Sequence, residues 1–518
     1  MNKRKIYLIV GGLCVLVAAG LFIAKNQYEA KMRGDIETFL ANLPAPLTAV
    51  AEKIEVSVLD RSFALTNLKG QYKSESTELE FSTARVEAKG VNLDAFKADA
   101  GSVLLADSVK LTNNVVKTPG VYAGIESYAL ENVSGNITQL ADEYIKVFPD
   151  LVALLKAPGF EMDKKAQRQA LGALSGLLKA YETFSAGKVT MTNYVHTSLV
   201  DDKKMTMTLA RSETQKYSIR ETGPSSMTGL SFTIDEKPFM AWESLRYDGI
   251  TLPSFVEFLN ALCGEVVPPR EKLKATLEGQ VFALNNLRGK SFVAHDPEDS
   301  ERKLFALADF GLSYEARDAH TVNFTYSGFD IDKKLIEDDG DLSDEALALL
   351  PTTLSFEGAF QGTLTRKDEN TASADFKRIH LKEASLGEMT LAFSIKDVNV
   401  LAIFLGMPGP AALESLDLNL VDNGMSELLF TVAAEEAEDS AANVRTEVVN
   451  QFTTSREALP NDTLKGLADA SAKFLEKSGK SFRLTLAPAK PLPLMLIQSA
   501  AFTDPDKLGL TYSVTPDK

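Results

Sequence analysis

The chain has 518 residues, room for two to four domains at roughly 100–200 residues each. At 45% hydrophobic and 24% charged it has the composition of a globular protein, which excludes a disordered chain and a polytopic membrane protein. Two cysteines exclude a disulfide scaffold, four histidines argue against a His-rich metal enzyme, and a formal charge of −16 with one Trp excludes nucleic acid as a natural partner.

Lys3, Arg4 and Lys5 open the chain without an acid, and Ile6–Ala24 then runs 19 residues without a charge. At about 1.5 Å per residue that segment spans roughly 28 Å, close to the ~30 Å hydrocarbon core of a bilayer. The apolar core of a cleaved signal is about 7–15 residues, so residues 1–27 read as a cytoplasmic tail and uncleaved transmembrane anchor. The small residues Val17–Gly20 keep a cleaved signal as the alternative. The acid-free tail sets the N-terminus inside and the bulk of the chain outside. Cys14 would then lie in the bilayer and Cys263 alone beyond it, with no partner for a disulfide. From residue 28 onward the chain carries 51 basic against 71 acidic residues, a charge near −20, so it would not be drawn to an anionic membrane by charge.

After the anchor, Tyr28–Leu40 continues as a helix until Pro44 and Pro46. Strict apolar–polar alternation follows at Ile54–Val58, Met205–Leu209, Val322–Tyr326, Met389–Ile395, Leu416–Leu420 and Phe482–Leu486. That period of two is the mark of half-buried antiparallel strands, with Asp201–Lys204 and Lys367–Asn370 as hairpin ends. Helices are expected at Asn136–Leu155 and Met162–Phe184, a pair around Ala157-Pro158-Gly159. Others are expected at Pro253–Leu262, Ser343–Leu350 and Asn461–Lys477, the last stopping at Ser478-Gly479. The expected class is α+β and β-rich: long amphipathic antiparallel sheets with packed helices behind one transmembrane helix. Phe63–Gly70 (FALTNLKG) matches Phe282–Gly289 (FALNNLRG) at six of eight positions. The match suggests two related halves, 28–265 (with the helical pair 136–186) and 270–518, divided near Val266–Pro269.

Motifs that could carry chemistry fail on spacing. Gly289-Lys290-Ser291 and Gly479-Lys480-Ser481 look like the end of a phosphate loop. Leu284 and Phe474 stand where that loop needs glycine, so a turn or helix stop is the better reading. Glu337–Glu345 lacks the ligand order of a calcium loop and reads as a solvated loop with Asp341 or Ser343 capping the next helix. Glu435–Asp439 reads as a solvated loop too. His196, His295, His320 and His380 show no metal spacing, His295-Asp296 is at most a hydrogen-bonded pair, and Gly172–Gly176 is not a nucleophile elbow. No catalytic, cofactor-binding or metal-binding residue is expected, and no cofactor.

One N-terminal anchor, about 500 residues, amphipathic strands and helix–break–strand units give the chain a known layout. Through Met1–Ala24, Glu345–Gly358 and Phe482–Leu494 it resembles the YdgA-like and AsmA-like inner-membrane-anchored periplasmic proteins of Gram-negative bacteria. The resemblance implies an inner-membrane, single-pass location with the bulk in the periplasm. AsmA-like relatives are implicated in phospholipid traffic and envelope integrity. The resemblance lies in layout and assigns no residue a role. The expectation is a non-catalytic cell-envelope protein that binds or transfers phospholipid along apolar sheet faces. The alternative is a scaffold with sealed cores that docks another envelope protein. The alternating pattern is the same for an open groove and for a sealed core.

Overall fold

The computed structural model describes residues 29–43, 47–73, 78–92, 95, 102–136, 139, 175, 178–179, 181–200, 203–252, 281–296, 298–316, 319–340, 342–367, 371–399 and 411–516. The expected anchor with Cys14, most of the helical pair at 136–186, the helix at 253–262, Cys263 and the break at 266–269 lie outside the described residues. No helix among the described residues is long and apolar enough to cross a membrane. The chain separates into two compact units, residues 1–284 and 285–518. Both are β-rich and antiparallel.

The first unit begins with α1 (Glu29–Ala41), β1 (Leu47–Val50), β2 (Lys53–Ser57), β3 (Ser62–Lys73), β4 (Glu78–Lys89), β5 (Val103–Thr118) and β6 (Val121–Gly135). It continues with β7 (Ser185–Val200), β8 (Lys203–Ser218), β9 (Glu221–Thr222), β10 (Ser225–Ile234), β11 (Lys237–Tyr247) and β12 (Gly249–Thr251). From β3 to β8 each strand pairs antiparallel with the next, β8 pairs with β10 and β10 with β11, while β1 and β2 share the outer side of β3. Antiparallel neighbours can be joined by short reversals, as between β5 and β6 and between β7 and β8, whereas residues 136–184 lie between β6 and β7. Ile36 and Leu40 of α1 are buried against Phe63, Leu65, Leu68, Val86 and Leu111, the core of this end of the sheet.

These strands break their own alternation. Asn67, Asn113, Asn193 and Gly229 sit in the middle of β3, β5, β7 and β10 with φ between 48° and 63°. The pairing skips each of them together with its neighbours Ala84, Glu126, Ala210 and Glu243, so the skipped positions form one line across the sheet. Inward residues are therefore three apart across the line, as in Leu65 then Leu68, or Leu111 then Asn114, where a regular strand spaces them by two. Asparagine and glycine tolerate this left-handed backbone, and an irregularity of this kind bends and twists its strand. Asn67 Nδ2 donates to Glu52, and Asn193 Nδ2 to Glu126.

The second unit runs β13 (Phe282–His295, which opens just before the boundary), β14 (Lys303–Ala316), β15 (Ala319–Asp332), α2 (Lys334–Asp339), α3 (Asp344–Ala348), β16 (Thr353–Arg366), β17 (Thr371–Glu383), β18 (Gly387–Asn399) and β19 (Ala412–Asp422). After β19 come α4 (Met425–Ala437), α5 (Ala441–Ser455) and α6 (Asp462–Leu475), then β20 (Lys480–Leu486), β21 (Leu492–Pro493), α7 (Leu494–Thr503) and β22 (Thr511–Pro516). From β14 to β20 successive strands pair antiparallel, β21 extends alongside β19, and β22 pairs with β20.

Five of the six alternating segments read from the sequence lie wholly in strands, Ile54–Val58 runs one residue past β2, and the helices expected at 28–40, 343–350 and 461–477 form. Ser343 and Asn461 cap α3 and α6 with their side-chain oxygens, and Gly479 ends the α6 turn at φ 81°. Three readings are corrected. Glu435–Asp439 is not a solvated loop: α4 runs through Ala437, and Glu438 closes it in the left-handed conformation. Glu337 and Asp338 belong to α2, which Gly340 caps at φ 74°. Gly289-Lys290-Ser291 is neither turn nor helix stop but lies inside β13. The two matched octapeptides fold alike. Asn67 and Asn286 have φ of 49° and 48°, Ala64 and Ala283 are buried, and a ring covers the glycine of each, Phe81 over Gly70 and Phe310 over Gly289.

Candidate functional site

The second unit's strands place their apolar residues in register. One row crosses the sheet as Leu312, Phe324, Phe360, Ile379, Leu391, Leu418, Leu484 and Tyr512. A neighbouring row on the same face is Phe310, Tyr326, Gly358, Leu381, Met389, Leu420, Phe482 and Val514. The third is Tyr314, Val322, Gly362, Phe376, Phe393, Leu416 and Leu486. At about 4.8 Å between strands, rows of seven or eight residues extend roughly 30 Å. Aromatic contacts knit the face: Phe376 lies 4.6 Å from Phe393 and 5.5 Å from Phe360, and Phe324 lies 5.7 Å from Tyr326, measured between ring centroids.

Few of these side chains are sealed. Gly358, Gly362 and Phe482 are buried, Leu381 is 40% exposed, and the rest are half-buried. Helices gather at the margins. α6 packs on β20 and β22, with Phe474 5.6 Å from Phe482, and Leu350 and Leu386 form a small core at one set of strand ends with Leu428 of α4 beside them. At the other strand ends Leu494 of α7 packs beside Phe376, Ile395 and Val398. The opposite face is polar: Arg483 holds Asp417 through Nε at 3.0 Å and Nη2 at 2.7 Å, and His380 Nε2 lies 3.1 Å from Glu388. The Arg483 hydrogen bond keeps the Asp417 carboxyl below its ordinary range, while burial pushes the Tyr326 hydroxyl on the apolar face upward. One face thus favours charge and the other disfavours it.

The first unit's later strands carry a second such face. Leu65, Val86, Leu111, Tyr128, Met191, Ser212, Met227 and Leu245 share one row, and it passes from buried to half-buried at Tyr128. Met191, Met205, Met207, Met227 and Met240, five of the chain's 12 methionines, are half-buried here, beside Phe232 and Trp242. Unbranched thioethers adapt to irregular apolar ligands. His196 stands in the same face between Ala123 and Met207. Its Nδ1 is buried without a hydrogen-bond partner, and burial lowers its pKa from the ordinary 6.5.

The other singled-out residues are structural. His295 and Asp296 do not pair with each other: His295 Nδ1 meets the Ser300 carbonyl at 2.8 Å, and Asp296 joins Asp332 and Asp338 around Arg302. His320 Nδ1 meets the Tyr314 hydroxyl at 2.8 Å. The four histidines therefore fall on different strands and faces. Among the described residues no group of three or more His, Cys, Asp or Glu could hold a metal ion. Of Gly172–Gly176 only Ser175, which is buried, lies among the described residues. Reading the sequence segment by segment misses the rows, because a row exists only in the register. The mid-strand asparagines and the clustered methionines are the signals that could have revealed them.

A protein-family profile matches residues 352–515, the stretch from β16 to β22. That family is described only as an uncharacterized protein. No curated protein matches the chain.

Proposed function

We propose that this protein is a non-catalytic component of a bacterial cell envelope that binds or transfers phospholipid, its acyl chains lying along the apolar sheet faces. The anchor at 1–27 would hold it in the inner membrane with the N-terminus in the cytoplasm and the bulk in the periplasm, as in the YdgA-like and AsmA-like proteins it resembles. The observation that carries the reading is the set of three registered apolar rows whose side chains stay half-buried. Sealed cores normally bury such residues nearly completely, and soluble monomers rarely leave so large an apolar surface unless something binds there. An acyl chain needs length, width and no charged ligand, which is what the rows offer.

The test is mass spectrometry of organic extracts from residues 28–518, exported to a bacterial periplasm and purified without detergent. Near-stoichiometric phospholipid is expected, and Phe393→Lys in the apolar face should deplete it at least fivefold while Thr325→Lys on the polar face leaves it in place. A stably folded, lipid-free protein would overturn the proposal and favour the scaffold, to be pursued by crosslinking to envelope partners.

A further inference from the structure

α7 carries large apolar residues on both sides, with the uncharged Gln498, Ser499 and Thr503 as its exposed polar residues. Leu494, Ile497, Ala500 and Ala501 face inward, and Ala500 is buried. On the outer side Met495 is 72% exposed, Leu496 50% and Phe502 48%. The helix is held in place: the Leu494 N–H donates to the Ala411 carbonyl at 2.8 Å, and the Asn461 side chain donates to the Ala501 carbonyl at 2.9 Å and the Phe502 carbonyl at 3.3 Å. Pro491–Thr503 contains no charged residue, although charged residues make up 24% of the chain, and Lys490 and Asp504 bound the gap.

We infer that the outer side of α7 docks into the surface of a lipid bilayer. Large apolar side chains exposed together on an uncharged helix face mark a site of contact with a protein or a membrane. A protein partner fits poorly. The three side chains expose on the order of 300 Å², well below the roughly 800 Å² per partner of a stable interface, and they offer no charge to fix an orientation. A bilayer requires neither a minimum area nor a matching surface. Continuity points the same way, since Leu494 belongs to the cluster of Phe376 and Ile395 at the strand ends, beside the third apolar row. Docking there would set the strand-end border of the apolar face against the acyl region of a membrane. The inference deepens the lipid-carrying reading and rests on it for the direction of transfer, not for the contact itself.

The contact is tested with the full chain carrying Cys14→Ser, Cys263→Ser and Phe502→Cys, labelled at the new cysteine with a polarity-sensitive fluorophore. The protein is reconstituted in phosphatidylethanolamine–phosphatidylglycerol vesicles containing lipids spin-labelled high on the acyl chain. Insertion predicts a several-fold rise in emission and its quenching by the spin label, both reduced about tenfold by adding Met495→Glu and Leu496→Glu. A label at Leu349→Cys, a residue 41% exposed beside Leu350 at the strand ends away from α7, should stay aqueous throughout. A label at position 502 that stays aqueous, whether the chain is monomeric or self-associated, overturns the inference. Phospholipid bound to residues 28–518 is scored separately, so lipid carriage without insertion, or insertion without carriage, tells the two proposals apart.

Discussion

The two ends of the first unit's sheet use one architecture for different ends. Along the row from Leu65 to Leu245 the strands, the register and the line of skipped positions are the same, yet Leu65, Val86 and Leu111 are buried and Tyr128 through Leu245 are half-buried. What changes is the cover and the side chains. α1 lies over the first strands, whose row residues are Leu and Val with few rotamers. The later strands contribute Met191, Ser212 and Met227, and helix α1 does not reach them. Sealing is therefore not a property of the alternating pattern; a helix adds it at one end, and no helix among the described residues covers the other. The second unit repeats the arrangement, with α6 and α7 at the margins of a broad half-buried face.

The comparison breaks if the two ends of a row answer alike to truncation. Leu65→Ala should destabilise the first unit by about 2–5 kcal/mol, the range for a buried leucine leaving a cavity, whereas Leu245→Ala should lose only about 1 kcal/mol. Denaturant midpoints for the first unit's transition measure both. Equal losses would mean that the later strands are as sealed as the earlier ones, and the apolar face would lose its claim to a ligand.

The line of skipped positions is tested next. Asn67 at φ 49° and Asn193 at φ 48° can become glycine with little effect, but valine there should destabilise by roughly 1–3 kcal/mol, because a β-branched residue resists the left-handed region. If Asn193→Val is harmless while Asn67→Val is not, the open end tolerates a straightened strand that the sealed end cannot accept. Thermal unfolding of the two variants decides it.

These positions also explain how far the fold was legible in the sequence. Three of the alternating segments recognised there stop where the backbone departs from regular pairing: Met205–Leu209 ends before Ala210, Val322–Tyr326 before the bulge at Ser327 and Gly328, and Met389–Ile395 before the shift near Asp397. A period of two that restarts three residues later looks like the end of a strand. α4 and α5 were hidden for the opposite reason. LLFTV in α4 and the Val and Thr residues of α5 are strand formers, and α5 buries no residue, so no helical stripe marks it. What holds it is local and tertiary: Ser440 caps it, and Arg445 reaches Glu427 on α4 at 2.6 Å. The candidate site was legible only as amphipathic strands. Its rows depend on which residues stand opposite each other, and helices far along the chain decide which rows are covered.

The smallest expected effect reports on the dielectric of the open face itself. His196 stands among Ala123, Met207 and the half-buried methionines, with its Nδ1 unsatisfied and its pKa depressed by burial. The folded state prefers the neutral imidazole, while the unfolded chain takes up a proton near pH 6.5. The unfolded state therefore binds more protons as pH falls, so stability is complete above about pH 6.5 and declines below it. His196→Phe should flatten that decline between roughly pH 7 and 5 without altering stability at pH 8 by more than about 1 kcal/mol. Apolar ligand laid across the face would deepen the burial of the ring and steepen the decline in the wild-type protein. A slope that is the same with and without bound phospholipid would place the ligand away from the Met207–Met240 region and confine carriage to the second unit.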